Sequence, residues 1–332
     1  MAGEPITSVV AAPRRRRRVF FLIVPQVHVL DLSGPMQVFF EANGFGGDYE
    51  IRSCAVEATI RSAQGLTFSA LEPLPEIEPG DTVLVPGLAS STLDDLSHVP
   101  AAWLRGVEAA GGSLGSICSG AFVLGRAGLL DGRQCTTHWK VADLLQTLHP
   151  RARVIRDRLY VRDGSLITSA GITSGIDMAL SMVEENHGPV LVSKVAREMV
   201  VYLRRSGESS QESVFLDHRT HIHPGIHKVQ DWLLGHVSGK PTIESLANVA
   251  GMSPRNLTRV FRQATGITLK DYSTRIKLEV AASLLRNPGF TLDQIAAECG
   301  FRDARQLRRL WIRRYGVNPS SWRSRDERRA IA

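Results

Sequence analysis

One pattern occurs twice near the end of this chain. The first copy reads LANVAGMSPRNLTRVFRQATG, from Leu246 to Gly266, and the second IAAECGFRDARQLRRLWIRRYG, from Ile295 to Gly316. Gly251 answers Gly300, and Gly266 answers Gly316. Leu257 and Phe261 answer Leu307 and Trp311, with one extra residue after the second turn. Each copy is a short apolar-patterned helix, a glycine turn and a second helix carrying arginines. Two helix-turn-helix units in tandem are what reading two successive major-groove faces of DNA requires.

Charge is distributed to match. The whole chain of 332 residues carries a formal +7, but from Gly225 onward there are 19 Lys and Arg against 9 Asp and Glu. The repeat region is therefore +10 and the remainder −3. Positive charge sits where phosphates would be met. At 43% hydrophobic and 22% charged, the chain is globular and long enough for at least two domains. Cys54, Cys118, Cys135 and Cys299 form no CxxC pair and share no zinc-type spacing with histidine. No metal or cofactor is expected, and a reduced, cytoplasmic setting fits. Arg14–Arg18 followed by VFFLIVPQVHVL imitates a leader peptide. Pro25, Gln26 and His28 interrupt it, and it runs into Asp31 without a small-residue cleavage pattern. It reads as a flexible basic arm over 1–18 and then a buried strand. No segment reaches the ~18–20 apolar residues of a membrane span.

From Val19 to about His187 short apolar runs alternate with helical patterns. VFFLIV (19–24), TVLVPG (82–87) and SLGSIC (113–118) have the continuous apolar character of buried parallel strands. Helices are expected near 35–43, 101–110, 119–128, 138–147 and 174–186, and strands at 153–156, 158–162 and 165–169. This alternation predicts an α/β sandwich with a mostly parallel sheet. Residues 188–205 read as helical, and the polar stretch from Ser206 to Pro224 as a linker, so 188–224 joins the two domains. His218, His221 and His223 crowd that linker without cysteine or carboxylate partners at ligand spacing, so they read as spare histidines. The all-α region at 225–325 opens with a helix near 226–236. It then has helices over Ile243–Ala250, Pro254–Thr265, 268–286 (ended by Asn287-Pro288-Gly289), Leu292–Cys299 and Asp303–Arg314. Ser253 is a good N-cap and Pro254 suits the first helical position.

Side chains near the start of a recognition helix read base edges, and other Arg and Lys hold phosphates. Arg255, Thr258 and Arg259 share one face of the first recognition helix, opposite Leu257 and Phe261. Arg305, Gln306 and Arg309 point outward on the second, opposite Leu307 and Trp311. Arg suits guanine and Gln adenine, although each Arg could equally hold a phosphate. With the tandem units, Gly300–Asp303 (GFRD) and Tyr315–Trp322 (YGVNPSSW), the region resembles the AraC-type DNA-binding domain. Trp311 stands where that family usually has phenylalanine. The resemblance implies double-stranded DNA as partner, two recognition helices in adjacent major grooves, and RNA polymerase as a further partner.

In the front half, SICSGAFVLGRAGLL places Cys118 where a strand ends and a helix begins, the geometry of a nucleophile elbow. A helix N-terminus and a nearby histidine would make the thiol more acidic, while Asp31 opposes them if ionised. His138, in TTHW, and Asp31, in LDLSGP, can converge on it. This half resembles the ThiJ/PfpI branch of the class-I glutamine-amidotransferase-like superfamily, through LDLSGPMQVF (30–39), LVPG (84–87), SICSGAFVLGRAGLLDG (116–132) and TTHW (136–139), over about residues 19–187. The resemblance implies a flavodoxin-like fold, a reactive elbow cysteine and an acid after the first strand touching it. The Cys118 motif is also similar to that of isonitrile hydratases, with Ser119 where those carry threonine. A ThiJ/PfpI domain followed by AraC-type repeats resembles bacterial regulators of nitrogen-compound catabolism whose front domain senses an effector.

Three readings follow for Cys118, His138, Asp31 and Ser119. They form a small-molecule effector pocket, or a working cysteine hydrolase or hydratase on a DNA anchor, or Cys118 is a small buried hydrophobe. The first is the reading adopted: a homodimeric regulator sensing a nitrogen-containing catabolite, not an enzyme, nucleoid-associated when bound to DNA.

Overall fold

The computed structural model describes residues 16–201, 204–209, 211, 218–219, 221–285 and 289–322. The basic arm up to residue 15, much of the polar linker, the helix stop at 287–288 and the stretch 323–325 lie outside the described residues. The chain divides into two compact units, one running to Arg156 with Tyr160–Val201, the other Asp157–Leu159 with Tyr202–Ala332.

The first unit is built from β1 (Arg17–Leu22), α1 (Val29–Gly44), β2 (Tyr49–Cys54), β3 (Ile60–Arg61), β4 (Thr67–Phe68), β5 (Thr82–Val85), α2 (Ala101–Ala109), β6 (Ser113–Ile117), α3 (Gly120–Arg126), β7 (Gln134–Cys135), α4 (Ala142–Leu148), β8 (Arg153–Val154), β9 (Tyr160–Asp163), β10 (Leu166–Ser169) and α5 (Thr173–Glu198). Six strands form one sheet in the order β2-β1-β5-β6-β10-β9. Every neighbouring pair is parallel except β10 with β9. The fold is thus the expected α/β sandwich. β1 pairs with β2 on one side and β5 on the other. That reversal of strand order opens a crevice beyond the carboxyl ends of the strands, where α/β folds bind ligands.

The apolar run VFFLIV is the middle of this sheet. Phe20, Leu22 and Val24 enter the core under α2, α3 and α4, and Val19, Phe21 and Ile23 the core under α1 and α5. A strand covered on both faces needs no polar alternation, which is why the run could imitate a leader. Arg17 and Arg18 belong to β1 and not to a flexible arm. Arg18 Nε donates to Oδ1 of the buried Asp81 at 2.9 Å, so this arginine is fixed by an ion pair.

Other stretches differ from expectation too, α1 beginning at Val29 and not near 35. β2 carries Glu50 and Arg52 and is half-buried along most of its length, as a sheet edge is, so it lacks an apolar run to announce it. The stretch expected to be helical to residue 205 ends at Glu198, and Gly188 (φ 80, ψ 172) breaks α5 just before Pro189.

The second unit contains α6 (Pro224–Gly235), α7 (Ile243–Ala250), α8 (Pro254–Thr265), α9 (Leu269–Leu284), α10 (Leu292–Glu298) and α11 (Ala304–Tyr315). It holds two separate cores. Ile226, Val229, Leu233, Leu246, Leu257 and Phe261 pack with Tyr272 and Ile276 of α9. Ile295, Phe301, Leu307, Trp311 and Trp322 pack with Leu278 and Ala281 of the same helix. One continuous helix therefore serves both helix-turn-helix cores and ties the two recognition helices together.

Candidate functional site

Each recognition helix is started by a cap and stopped by a glycine. Ser253 Oγ accepts from Asn256 N at 3.4 Å at the head of α8, and Asp303 Oδ1 accepts from Gln306 N at 2.7 Å at the head of α11. Both helices end on left-handed glycines, Gly266 (φ 77) and Gly316 (φ 71), a conformation that costs glycine least. Leu257, Phe261, Leu307 and Trp311 are fully buried, which fixes the rotation of each helix and turns the arginines outward.

Arg255, Thr258 and Arg259 are exposed and line one open concavity with Arg262 and Gln263. Arg262 and Gln263 extend the stripe by one turn, at the i+7 and i+8 positions from Arg255, and were not singled out from the sequence. Arg259 is steadied along its own helix, its guanidinium donating to Asn256 Oδ1 at 2.8 Å and Gln263 Oε1 at 3.3 Å. Thr258 spends its hydroxyl proton on Pro254 O at 3.0 Å. On α11, Arg305 and Arg309 are exposed, and so is Arg308. Gln306 departs from the outward position expected for it. It is half-buried, its Oε1 accepts from Arg302 N at 2.7 Å, and it lines a groove with Thr258, Lys270 and Lys277. The cause is local: three residues into the helix, a glutamine reaches back to the exposed N–H groups of the first turn.

In the first unit, Cys118 sits between β6 and α3 with φ 55, a left-handed conformation that strains any residue but glycine. Its N donates to Ser169 O at 2.9 Å, and its carbonyl accepts from Thr137 Oγ1 at 2.7 Å. Asp31, in the first turn of α1, is fully buried, and its Oδ1 accepts from Ile172 N at 2.5 Å. Two glycines make the approach of these loops feasible. A Cβ at Gly87 would run into Asp31 Oδ2 and stand 2.9 Å from Cys118 Cβ. One at Gly171 (φ 107) would run into Cys118 Cβ.

The structure therefore brings Asp31 and Cys118 together, but the histidine beside them is His28. His28 Nδ1 lies 3.5 Å from Asp31 Oδ2, and the ligand atoms of His28, Asp31 and Cys118 all fall within 4.8 Å of one another. His28 was missed because it lies in the apparent leader, three residues before Asp31. His138 is outside that group. Its ring stacks on Trp139 at 5.6 Å, and its Nδ1 accepts from Lys140 N at 3.3 Å. Burial lowers its pKa, Lys140 adds to the effect, and Asp31 opposes it. Ser119 stays beside the thiol, whose pKa its side chain lowers, and its Oγ also donates to Leu88 O at 2.6 Å and accepts from Leu88 N at 2.8 Å, clamping the loop after β5.

The expected acidification of the thiol is not what the geometry produces. Burial pushes Cys118 up to about 12, the Asp31 carboxylate adds to this, and the backbone hydrogen bond at Ser119 only partly opposes it. Desolvation outweighs the helix N-terminus here. Even so, Cys118 is 7% exposed, whereas Cys54, Cys135 and Cys299 are at 0%. Leu30 and Ile172, which flank the Asp31 interaction, and Trp139 beside His138 are exposed apolar side chains.

The linker histidines make a different arrangement. His221 and His227 stack at 4.4 Å, and His218 Nε2 lies 3.1 Å from Arg275 Nη1.

Comparison with known proteins covers both units. Residues 17–185 match the DJ-1/PfpI family, and residues 246–325 match a helix-turn-helix domain. The chain is 27% identical over 307 residues to the HTH-type transcriptional regulator CdhR of Pseudomonas aeruginosa, covering 92% of this chain and 91% of that one. It is 36% identical over 171 residues to an isonitrile hydratase of Pseudomonas putida, covering 51% of this chain and 71% of that one. Among solved structures, a protein of Vibrio parahaemolyticus aligns with a TM-score of 0.50 at 18% identity, covering 56% of this chain and 99% of that one, and shows the fold alone.

Proposed function

The chain belongs to the DJ-1/PfpI family and joins that fold to an AraC-type helix-turn-helix domain, and on that premise we propose how it acts. It is a sequence-specific DNA-binding transcription regulator. α8 and α11 read DNA, and the Cys118 site of the front unit takes a small nitrogen-containing metabolite that alters DNA affinity. The observation that carries the reading is α9. It packs into both helix-turn-helix cores and holds two arginine-faced helices in fixed register, which a merely solvated basic surface would not need. Arg255, Arg259, Arg305 and Arg309 are assigned to bases or phosphates, and Gln306 to the helix start unless DNA displaces it from Arg302 N. A relative matched over most of the chain is a regulator, which accords with a non-enzymatic role, though the family also includes enzymes. Homodimerisation, contact with RNA polymerase and a cytoplasmic, nucleoid-associated location belong to the same proposal.

Likeness to an isonitrile hydratase favours a second reading, a cysteine hydratase. Burial and the Asp31 carboxylate hold the Cys118 thiol well above its usual range, which disfavours the thiolate such chemistry needs. The two readings separate in one experiment. Small nitrogen compounds that raise the melting temperature of the full chain are added to a DNA titration and to a product assay. The regulator reading expects DNA affinity to change about 5- to 150-fold with the compound recovered intact. Turnover of the compound with unchanged DNA affinity contradicts it.

A further inference from the structure

We propose that His28, Asp31 and Cys118 bind one zinc-class divalent cation in the crevice of the front unit. Imidazole, carboxylate and thiolate are the three ligand types that zinc takes, and three protein ligands leave one position open. Their donor atoms already lie within 4.8 Å of one another. Around a tetrahedral ion with bonds of about 2.0–2.1 Å, nitrogen and oxygen donors stand about 3.3 Å apart. His28 Nδ1 and Asp31 Oδ2 stand at 3.5 Å, long for a hydrogen bond and close to that separation.

A second observation points to a ligand independently. Asp31 is fully buried, and its Oδ2 has no hydrogen bond of ordinary geometry among the described residues, the carboxylate meeting only the His28 ring at 3.5 Å and the Cys118 thiol on that side. Its other oxygen is fixed by Ile172 N, so the carboxylate is oriented and Oδ2 is directed toward His28 and Cys118. Buried carboxylate oxygens are seldom left unpaired, since desolvation without compensation is costly. The same loops are held by main-chain bonds: His28 N donates to Gly87 O at 2.7 Å and Cys118 N to Ser169 O at 2.9 Å. Ligands are thus presented on a rigid frame, as the surroundings of a metal site require. His28 is half-buried and already faces Asp31 Oδ2, whereas the Ser119 hydroxyl bonds to Leu88.

Binding exchanges the Cys118 Sγ proton for the metal, and the proton leaves to solvent. The open position faces the crevice, where a nitrogen lone pair of a metabolite can occupy it. This last point rests on the effector reading; the metal site itself does not.

Cobalt tests the assignment, because Co²⁺ takes zinc geometries and reports a thiolate ligand by a charge-transfer band in the near ultraviolet. The full chain, stripped with a chelator, should bind one Co²⁺ with that band, and Zn²⁺ should displace it. Zn²⁺ should also slow alkylation of Cys118. Cys118→Ser should bind without the band, and His28→Ala should weaken binding about 10-fold or more while melting as the parent does. Asp31→Asn retains an acceptor for Ile172 N and should fold, but bind weakly. A band that survives in Cys118→Ser, affinity unchanged in His28→Ala, or cobalt bound only without a thiolate band, as linker histidines would hold it, overturns the proposal. A chain that binds no cobalt yet changes DNA affinity with a metabolite removes the metal site and keeps the regulator.

Discussion

Raising salt from about 50 to about 200 mM should weaken DNA binding by the full chain about 10³-fold. Arg255, Arg259 and Arg262 on α8 and Arg305, Arg308, Arg309 and Arg313 on α11 are all exposed. If about six of them replace counterions on phosphates, log affinity falls with log salt at a slope near −5, and a fourfold rise in salt gives about three decades. Unrelated duplexes should show nearly the same slope, because phosphates carry no sequence. Fluorescence anisotropy across a salt series measures it. A change under about 10-fold would mean that these arginines do not meet phosphate, and the assignment of α8 and α11 would fail.

Trp311→Ala should cost about 3–5 kcal/mol of stability in the second helix-turn-helix core. Trp311 is fully buried, with Tyr315 at 4.5 Å and Trp322 at 5.3 Å between ring centroids. Its Nε1 has no hydrogen-bond partner among the described residues, so the loss is one of packing and not of a polar bond. Trp311→Phe keeps the aromatic contact and should lose much less. Because the first core is separate, Leu257 and Phe261 should stay packed in Trp311→Ala, and denaturation should show an early partial transition. Affinity for a two-element DNA site should then fall to that of one unit. A single transition at the parental midpoint would show that Trp311 does not hold the core together.

How much of this the sequence disclosed depends on how locally each feature is encoded. The tandem units were legible because their determinants lie within about twenty residues: a cap, a glycine turn and buried positions at helical spacing. The central strands were legible because burial on both faces writes an unbroken apolar run. β2 was not, since an edge strand alternates with charge. The Cys118 site was half legible. SICSG marks an elbow by local chain geometry, and Asp31 follows the first strand. Which histidine joins them depends on how the loops after β1, β5 and β10 close, and sequence spacing does not carry that. His138 stood in a recognisable motif, whereas His28 stood in what looked like a leader. Thiol acidity was misjudged for the same reason, since burial is a property of the closed loops. The half-burial of Gln306 was not legible either, because it depends on its Oε1 reaching back to Arg302 N at the head of α11.

The central claim is that α8 and α11 read two stretches of DNA as one unit. Selection of bound duplexes from a random pool by the full chain, repeated with Arg259→Ala and Arg309→Ala, tests it most directly. The parent should enrich two short elements about one helical turn, or ~10 base pairs, apart. Each variant should relax one element and leave the other, at a cost of about 1–3 kcal/mol on the parental site. No enrichment over the starting pool, or equal weakening on every sequence by both variants, would contradict it.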